Sequence, residues 1–156
     1  MPPTATVRVV DVYPYRMAAG GGYEFLVLRR TPGHVYAGQW RMVGGKIDED
    51  ETAWQAALRE LGEETGCTPV RTWALPSVNH FYDWRRDTVA LIPAFAAELA
   101  ADAAVTLCDE HDTSAWLPAA EAAARLSWPE QQRLLLLTAE LLERGGIPPE
   151  LDVRGE

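Results

Sequence analysis

One predicted helix carries three glutamates on a single narrow stripe, and no other feature constrains the chain as much. At roughly 100° per residue, Glu63 and Glu64 fall within about 60° on either side of Glu60. Like charges at i,i+3 and i,i+4 spacing destabilise an isolated helix. The stripe is therefore costly unless a cation neutralises it. Clustered carboxylate oxygens suit Mg²⁺, with Mn²⁺ as an alternative.

The opposite side of this helix is apolar and predicts a buried face. Three side chains lie about 100° to 160° from Glu60 around the helix axis: Trp54, Leu58 and Leu61. On this interpretation the acids face solvent, and Glu64 is a solvent-facing residue.

The ends of the helix are predicted at about residues 51 and 64. Asp48 or Asp50 can cap the start, and Glu51 falls in the first turn, where negative charge is favoured. Glu51 lies on the far side of the helix from Glu60, so we predict a structural role for it. Gly66 suits the C-terminal cap.

The residues around this helix resemble the signature of the Nudix hydrolase superfamily (MutT-like). The signature reads Gly, five residues, Glu, seven residues, Arg-Glu, an aliphatic, any residue, Glu-Glu, any residue, Gly and an apolar residue. It is filled by Gly45, Glu51, Arg59, Glu60, Leu61, Glu63, Glu64, Gly66 and Cys67. The resemblance implies an α+β fold, an α/β/α sandwich with a central mixed sheet and a catalytic loop-helix-loop.

Hydrophobic periodicity outside the signature agrees with a mixed sheet between helices. We predict strands at 5–13, 23–29, 40–43, 70–77, 88–99 and 115–117, and further helices at 118–126 and 129–144. Turn residues predict connections at 18–22, 31–39 and 79–87. The chain is predicted to be one domain over 1–156, with a loose tail from Pro148 onward.

Composition excludes several classes of protein. The net charge of −9 argues against a nucleic-acid polymer as partner, because such binding needs a basic surface. No apolar run approaches about 18 residues, so no membrane span is predicted. Cys67 and Cys108 show no metal-ligand spacing and no disulfide framework. We expect a cytoplasmic protein, monomeric or homodimeric.

The acids of the helix are the candidate metal ligands. Glu60, Glu63 and Glu64 are assigned this role, and the resemblance points most strongly to Glu60 and Glu64. The carbonyl of Gly45 is a further candidate, since glycine lets backbone approach an ion closely. Arg59 can orient the carboxylates by pairing with Glu63, or it can be an ordinary surface ion pair.

A base must accept the proton of the attacking water, and two residues can supply it. One is Glu63, and the other is Glu110, which precedes the predicted strand around Trp116. A solvated loop acid is the alternative for Glu110. Four short segments resemble the branch that hydrolyses dihydroneopterin triphosphate and dATP: Leu28-Arg29-Arg30, Trp40, Glu110-His111 with Trp116, and Leu126-Ser127-Trp128.

Substrate contacts are predicted at two places besides Trp40, which comes just before the signature. Arg29 and Arg30 end a strand and alternate in direction, so at most one can reach a phosphate. Within 79–87, Tyr82 or Trp84 can stack on a base or pterin, and Asn79 can bind a ring edge. A surface hairpin is the alternative for that segment.

The predicted function is Mg²⁺-dependent hydrolysis of a nucleoside or pterin triphosphate to a monophosphate and pyrophosphate. The substrate would be a small phosphate anhydride. An ADP-ribose or nucleotide-sugar pyrophosphatase is the alternative within the same superfamily. A nucleotide-binding sensor without turnover and a scaffold without bound metal are alternatives from other classes.

Overall fold

The computed structural model describes residues 1–154, in which eight strands form one mixed sheet with helices on both faces. The elements are β1 (Thr4–Thr6), β2 (Val9–Met17), β3 (Tyr23–Arg30), β4 (Trp40–Arg41), β5 (Val43–Lys46), α1 (Ala53–Thr65), β6 (Arg71–Asp83), β7 (Thr88–Glu98), β8 (His111–Pro118), α2 (Ala119–Arg125) and α3 (Pro129–Arg144). Strands β1 and β2 pair with β7 in parallel, and the other pairs are antiparallel. The predicted α+β sandwich is confirmed.

The two faces of the sheet form separate apolar layers, set by alternation along the strands. On the α1 side, Val10 and Val12 pack with Ala57 and Leu61. On the α2 and α3 side, Tyr13, Tyr15, Phe25 and Trp73 pack with Leu134 and Leu135. Apolar burial on the first of these faces holds α1 against the sheet.

A short segment of chain fills the gap where β2 and β3 separate. The two strands pair only between Tyr15–Phe25 and Met17–Tyr23. Farther along, β4 pairs with β3 and β5 pairs with β2. This arrangement brings β5 and the loop after it directly beneath α1.

Helix α1 begins later than predicted, because Thr52 is its N-cap. The Thr52 side chain accepts from the Gln55 backbone, and the Gln55 side chain accepts from the Thr52 backbone. The predicted caps Asp48 and Asp50 are wrong, and Glu51 precedes the helix instead of lying in its first turn. Gly66 ends the helix with a φ of 71°.

Several strand bounds also differ from prediction, and the strand predicted at 40–43 is divided at Met42 into β4 and β5. The strand predicted at 5–13 is interrupted at residues 7 and 8. Strand β6 continues to Asp83, so the connection predicted at 79–87 is confined to residues 84–87. Strand β8 begins at His111. Strands β6 and β8 are both longer than predicted. Their extra residues form backbone hydrogen bonds with β7 and β3, respectively, where a loop would leave these groups to water.

The segment after Pro148 is docked, where a loose tail was predicted. Pro149–Leu151 form a 3₁₀ turn. The Val153 N–H then donates to the Thr72 carbonyl at 2.9 Å, and Arg71 pairs with Asp152 at 2.9 Å. Residues 155 and 156, the end of the predicted tail, lie outside the described residues. Within residues 1–154, no helix has the length and apolarity needed to cross a membrane.

Candidate active site

Acidic side chains from two parts of the chain line one cleft of about 210 Å³. Helix α1 contributes Glu60, Glu63 and Glu64, and the turn before β8 contributes Cys108, Asp109 and Glu110. The candidate Glu110 and the three helix acids are therefore neighbours in space. Burial raises the pKa of Glu64, and the nearby Glu60 and Glu110 carboxylates raise it further.

Glu64 is buried, and the prediction that it faces solvent is wrong. Its residue surface is 3% exposed, and its Oε2 accepts from the Gly44 N–H at 3.0 Å. Burial, reinforced by the neighbouring acids, raises the pKa of Glu64 to about 8. Glu64 contacts Gly44 of β5 and His111 of β8. Helical periodicity predicts that this side of α1 is exposed, because it carries no information about which strands pack there.

Glu60 lies directly against β5, where only a glycine leaves room for it. A Cβ built on Gly45 would fall 2.2 Å from the Glu60 carboxylate carbon. Burial raises the pKa of Glu60, and the Arg59 guanidinium opposes that rise. The glycine thus makes a cradle in which the Glu60 carboxylate and the β5 backbone are adjacent.

Arg59 links the acids of α1 to the loop that precedes it. Its Nη1 lies 3.0 Å from Glu60 and 3.2 Å from Glu63, so the predicted i,i+4 contact is present. Its Nη2 donates to Glu51 at 2.6 Å and to the Lys46 carbonyl at 2.8 Å. Glu51 therefore holds Arg59 in place from the loop, which its predicted position on the helix would not allow.

Only one of the two predicted phosphate-binding arginines reaches the cleft. Arg30 Nη1 lies 3.4 Å from Glu110 Oε2, and Arg30 Nε donates to the Val35 carbonyl. Arg29 instead pairs with Asp112 at 2.9 Å. The register of the β3–β8 pairing shifts between Arg29 and Arg30, at the point where the two side chains take different partners.

His111 closes the inner end of the cleft beside Glu64. Its ring Nδ1 lies 3.6 Å from Glu64 Oε1, and the residue is buried. Burial, with the nearby Arg30, lowers the pKa of His111 to about 4. The imidazole is therefore neutral at pH 7. The sequence alone indicates no role for His111 beyond its place after Glu110.

The other predicted substrate residues lie away from the acidic cleft. Trp40 packs into the apolar layer of α2 and α3, with the Arg125 guanidinium 4.9 Å above its ring. Asn79 is 2% exposed and donates to Asp11 at 2.9 Å. Tyr82, near the end of β6, and Trp84, in the turn that follows, are 54% and 73% exposed.

A buried polar network on the α3 side of the sheet was missed by the sequence analysis. Asp11 accepts from Tyr13, Asn79 and Gln131, and burial raises its pKa while these hydrogen bonds oppose the rise. Gln131 also accepts from the Met42 N–H. The sequence does contain a signal for this network, since Asp11 lies between Val10 and Val12 in a predicted strand. A carboxylate buried in a sheet needs hydrogen-bond partners, so polar neighbours could have been expected.

The opposite pKa shifts of Glu64 and His111 predict how the metal-free protein responds to pH. Glu64 shifts from 4.5 to about 8, so the folded state retains a proton that the unfolded state loses. His111 shifts from 6.5 to about 4, so the unfolded state gains a proton that the folded state lacks. The two contributions oppose each other between pH 4.5 and 6.5, and only that of Glu64 continues up to about pH 8.

The free energy of unfolding should therefore fall between about pH 6.5 and 8, since the folded state binds more protons there. Urea denaturation in the presence of a chelator measures it. In Glu64→Gln this fall should be absent, and equal pH slopes in the two proteins would contradict the assignment.

The fold and the cleft define a class: an α/β/α sandwich with carboxylates gathered on a loop-helix-loop. Residues 5–138 match the family profile described as NUDIX domain. Nucleoside triphosphatase NudI of Klebsiella pneumoniae is 30% identical over 105 residues, which cover 63% of this chain and 74% of that protein. The chain belongs to the Nudix family, so the predicted hydrolase superfamily is confirmed.

Other relatives agree over shorter lengths or at the level of the fold. The RNA pyrophosphohydrolase of Sphingopyxis alaskensis is 45% identical over 64 residues, 36% of this chain and little more than a third (37%) of that protein's length. The MutT protein of Methanosarcina mazei has a TM-score of 0.67 at 25% identity, covering 92% of this chain and 98% of that one. A C. elegans Ap4A hydrolase has the same fold, with a TM-score of 0.73 at 24% identity over 88% of this chain and 98% of that one.

Proposed function

We propose that the chain hydrolyses the diphosphate linkage of a nucleoside or pterin triphosphate of the dATP or dihydroneopterin triphosphate kind. The products are a monophosphate and pyrophosphate, and Mg²⁺, or Mn²⁺ in its place, is the required cation. The observation that carries this proposal is the cradle in which Gly45 admits the Glu60 carboxylate beside the cleft. The similarity to a nucleoside triphosphatase supports the choice of substrate.

The side chains of the cleft suit a hard divalent cation. Glu60, Glu63, Glu64 and Glu110 supply carboxylate oxygens, and Gly45 adds a backbone carbonyl next to Glu60. The bound cation would neutralise charge on the phosphates and lower the pKa of a water molecule. Such a cation would also favour the ionised form of Glu64, which burial disfavours.

The remaining residues position these carboxylates and the substrate. Arg59 holds Glu60 and Glu63 together, and the Gly44 N–H holds one oxygen of Glu64. Arg30 lies beside Glu110 with its planar guanidinium available to phosphate oxygens. Water attacks a phosphorus of the anhydride, Glu110 or Glu63 accepts its proton, and the bond from that phosphorus to the bridging oxygen breaks, which gives the monophosphate and pyrophosphate.

A substrate panel in Mg²⁺ with product masses tests the proposal. It should contain the four dNTPs, 8-oxo-dGTP, dihydroneopterin triphosphate, ADP-ribose, a dinucleoside polyphosphate and a 5′-triphosphorylated RNA. We expect a monophosphate and pyrophosphate from one of the free triphosphates, and no turnover after chelation. Turnover of ADP-ribose or of the RNA alone would replace the proposed substrate. Tight nucleotide binding without hydrolysis would make the chain a sensor.

The Glu110→Gln variant tests whether Glu110 is a metal ligand or base, or a solvated loop residue without a role in hydrolysis. We expect kcat/KM to fall about 10-fold, the size of effect that follows when one supporting group of a metal site is lost. The fold should be unaffected, because the Glu110 side chain is 49% exposed. Asp109→Asn, in the same turn, is the matched control. An unchanged kcat/KM in Glu110→Gln would remove Glu110 from the mechanism.

A further inference from the structure

Three residues with different ligand chemistry meet at the edge of the cleft where β8 begins. The ligand atoms of Cys108, Glu110 and His111 all lie within 4.8 Å of one another. A tight turn holds the group together, since the His111 N–H lies 3.3 Å from the Cys108 carbonyl. The proposed hydrolysis uses Glu110 but neither the thiol nor the imidazole, so these two groups lack a role.

The imidazole of His111 supplies an independent sign that a ligand belongs here. Its side chain is 2% exposed, and within residues 1–154 nothing forms a hydrogen bond to Nδ1. Buried polar atoms are nearly always paired, so this nitrogen requires an explanation. The atom faces Glu64 Oε1 at 3.6 Å, which is too far for a hydrogen bond.

That separation is the one expected for two ligands of a single tetrahedral ion. Bonds of about 2.0–2.1 Å from zinc to nitrogen and oxygen place two such ligands about 3.4 Å apart. The ligand atoms of Cys108, Glu110 and His111 lie within 4.8 Å of one another, and side-chain rotation can bring the thiol and the Glu110 carboxylate to bonding distance of one ion. Glu110 and Cys108 are partly exposed and have the freedom to rotate.

The donor set selects the kind of ion. A cysteine sulfur with an imidazole nitrogen suits Zn²⁺ and similar thiophilic ions, whereas Mg²⁺ prefers oxygen ligands and octahedral geometry. We propose that Cys108, Glu110 and His111 bind a thiophilic divalent cation of the Zn²⁺ class at this edge of the cleft, with Glu64, next to the His111 ring, as a fourth ligand, so that Glu64 and Glu110 are shared with the Mg²⁺ site. The site does not depend on whether the chain hydrolyses a triphosphate.

Cobalt tests this site directly, because Co²⁺ takes zinc positions and reports its ligands by absorption. The metal-free full-length chain should bind one Co²⁺ with a sulfur-to-cobalt charge-transfer band and the d–d bands of a tetrahedral ion. Cys108→Ser should lose the charge-transfer band. Cys67→Ala, which removes the other thiol of the chain, should retain it.

Zinc affinity, measured against a competing chromophoric chelator, gives the second readout. Cys108→Ser and His111→Gln should each weaken binding by at least about 100-fold, since loss of a residue that merely orients a ligand costs about 10–100-fold. Circular dichroism checks that both variants are folded. If His111→Gln does not fold, the zinc affinity of Cys108→Ser decides the test.

Two results would overturn the proposal: a wild-type protein without the charge-transfer band, or a band that survives in Cys108→Ser. Neither depends on turnover. A charge-transfer band in a protein that does not hydrolyse triphosphates would reject the proposed function and support this metal site. Triphosphate hydrolysis by a protein without the band would support the proposed function and reject the site.

Discussion

Replacing Glu64 by glutamine is expected to lower kcat/KM by at least about 100-fold while the protein stays folded. The change removes one negative charge from the proposed Mg²⁺ ligands, and even groups that only support such ligands contribute about 10–100-fold. The fold should survive because an amide oxygen can still accept from the Gly44 N–H. Because burial raises the pKa of Glu64 to about 8, the metal-free folded protein holds this carboxyl in its neutral form at pH 7, as the amide would be.

Steady-state kinetics at saturating Mg²⁺, together with urea denaturation of the same samples, measure both halves of this expectation. Glu143→Gln, which neutralises an exposed acid on α3, is the control for loss of one charge. Turnover of Glu64→Gln at the wild-type rate would show that this carboxylate does not hold the cation. Loss of the folded state would instead make Glu64 a structural residue.

The adjacent glycines of β5 should give opposite results when each is changed to alanine. In Gly45→Ala the new methyl meets the flexible end of Glu60 at 2.2 Å, so the carboxylate must leave its cradle. We expect kcat/KM and Mg²⁺ affinity to fall about 10-fold or more, with little change in stability. In Gly44→Ala the methyl lies 2.5 Å from the Val10 carbonyl oxygen, which belongs to the β2 backbone.

A backbone atom cannot rotate away, so Gly44→Ala should lower the free energy of unfolding by about 1–3 kcal/mol. Calorimetric Mg²⁺ titration and urea midpoints for the two variants separate the effects, and each variant controls for the other. If Gly45→Ala binds Mg²⁺ as the wild type does, the Glu60 cradle is not part of the cation site. A stable Gly44→Ala would show that β5 can move away from β2.

The sequence predicted the features that depend on local spacing. The stripe of Glu60, Glu63 and Glu64, the glycine before it and the sandwich fold all follow from periodicity and from the family signature. The helix α3 was predicted at its observed bounds, because Pro129 and Gly145 mark both of its ends. Arg59 was also placed beside Glu63, since i,i+4 neighbours on a helix must be close.

The features that depend on what packs against an element could not be predicted in this way. Helical angles place Glu64 on a polar face, but they carry no information that β5 and β8 cover that face. The neighbours of Asp11 come from positions 79 and 131, and only the folded sheet brings them together. The burial of His111 against Glu64 could not be predicted either, because the two residues are far apart along the chain and only the fold brings them together.

Residues 42–46, which follow β4 and include β5, cannot gain or lose a residue without disturbing the candidate site. Met42 and Gly44 donate their N–H groups to opposite helical layers, to Gln131 on α3 and to Glu64 on α1. One inserted or deleted residue would shift the register of β5 against β2, and it would move the Gly44 N–H away from Glu64 or the Met42 N–H away from Gln131. Length variation among natural or selected variants should therefore be absent from residues 42–46 and tolerated in the turns of residues 31–39, where a change of length leaves both donors in register.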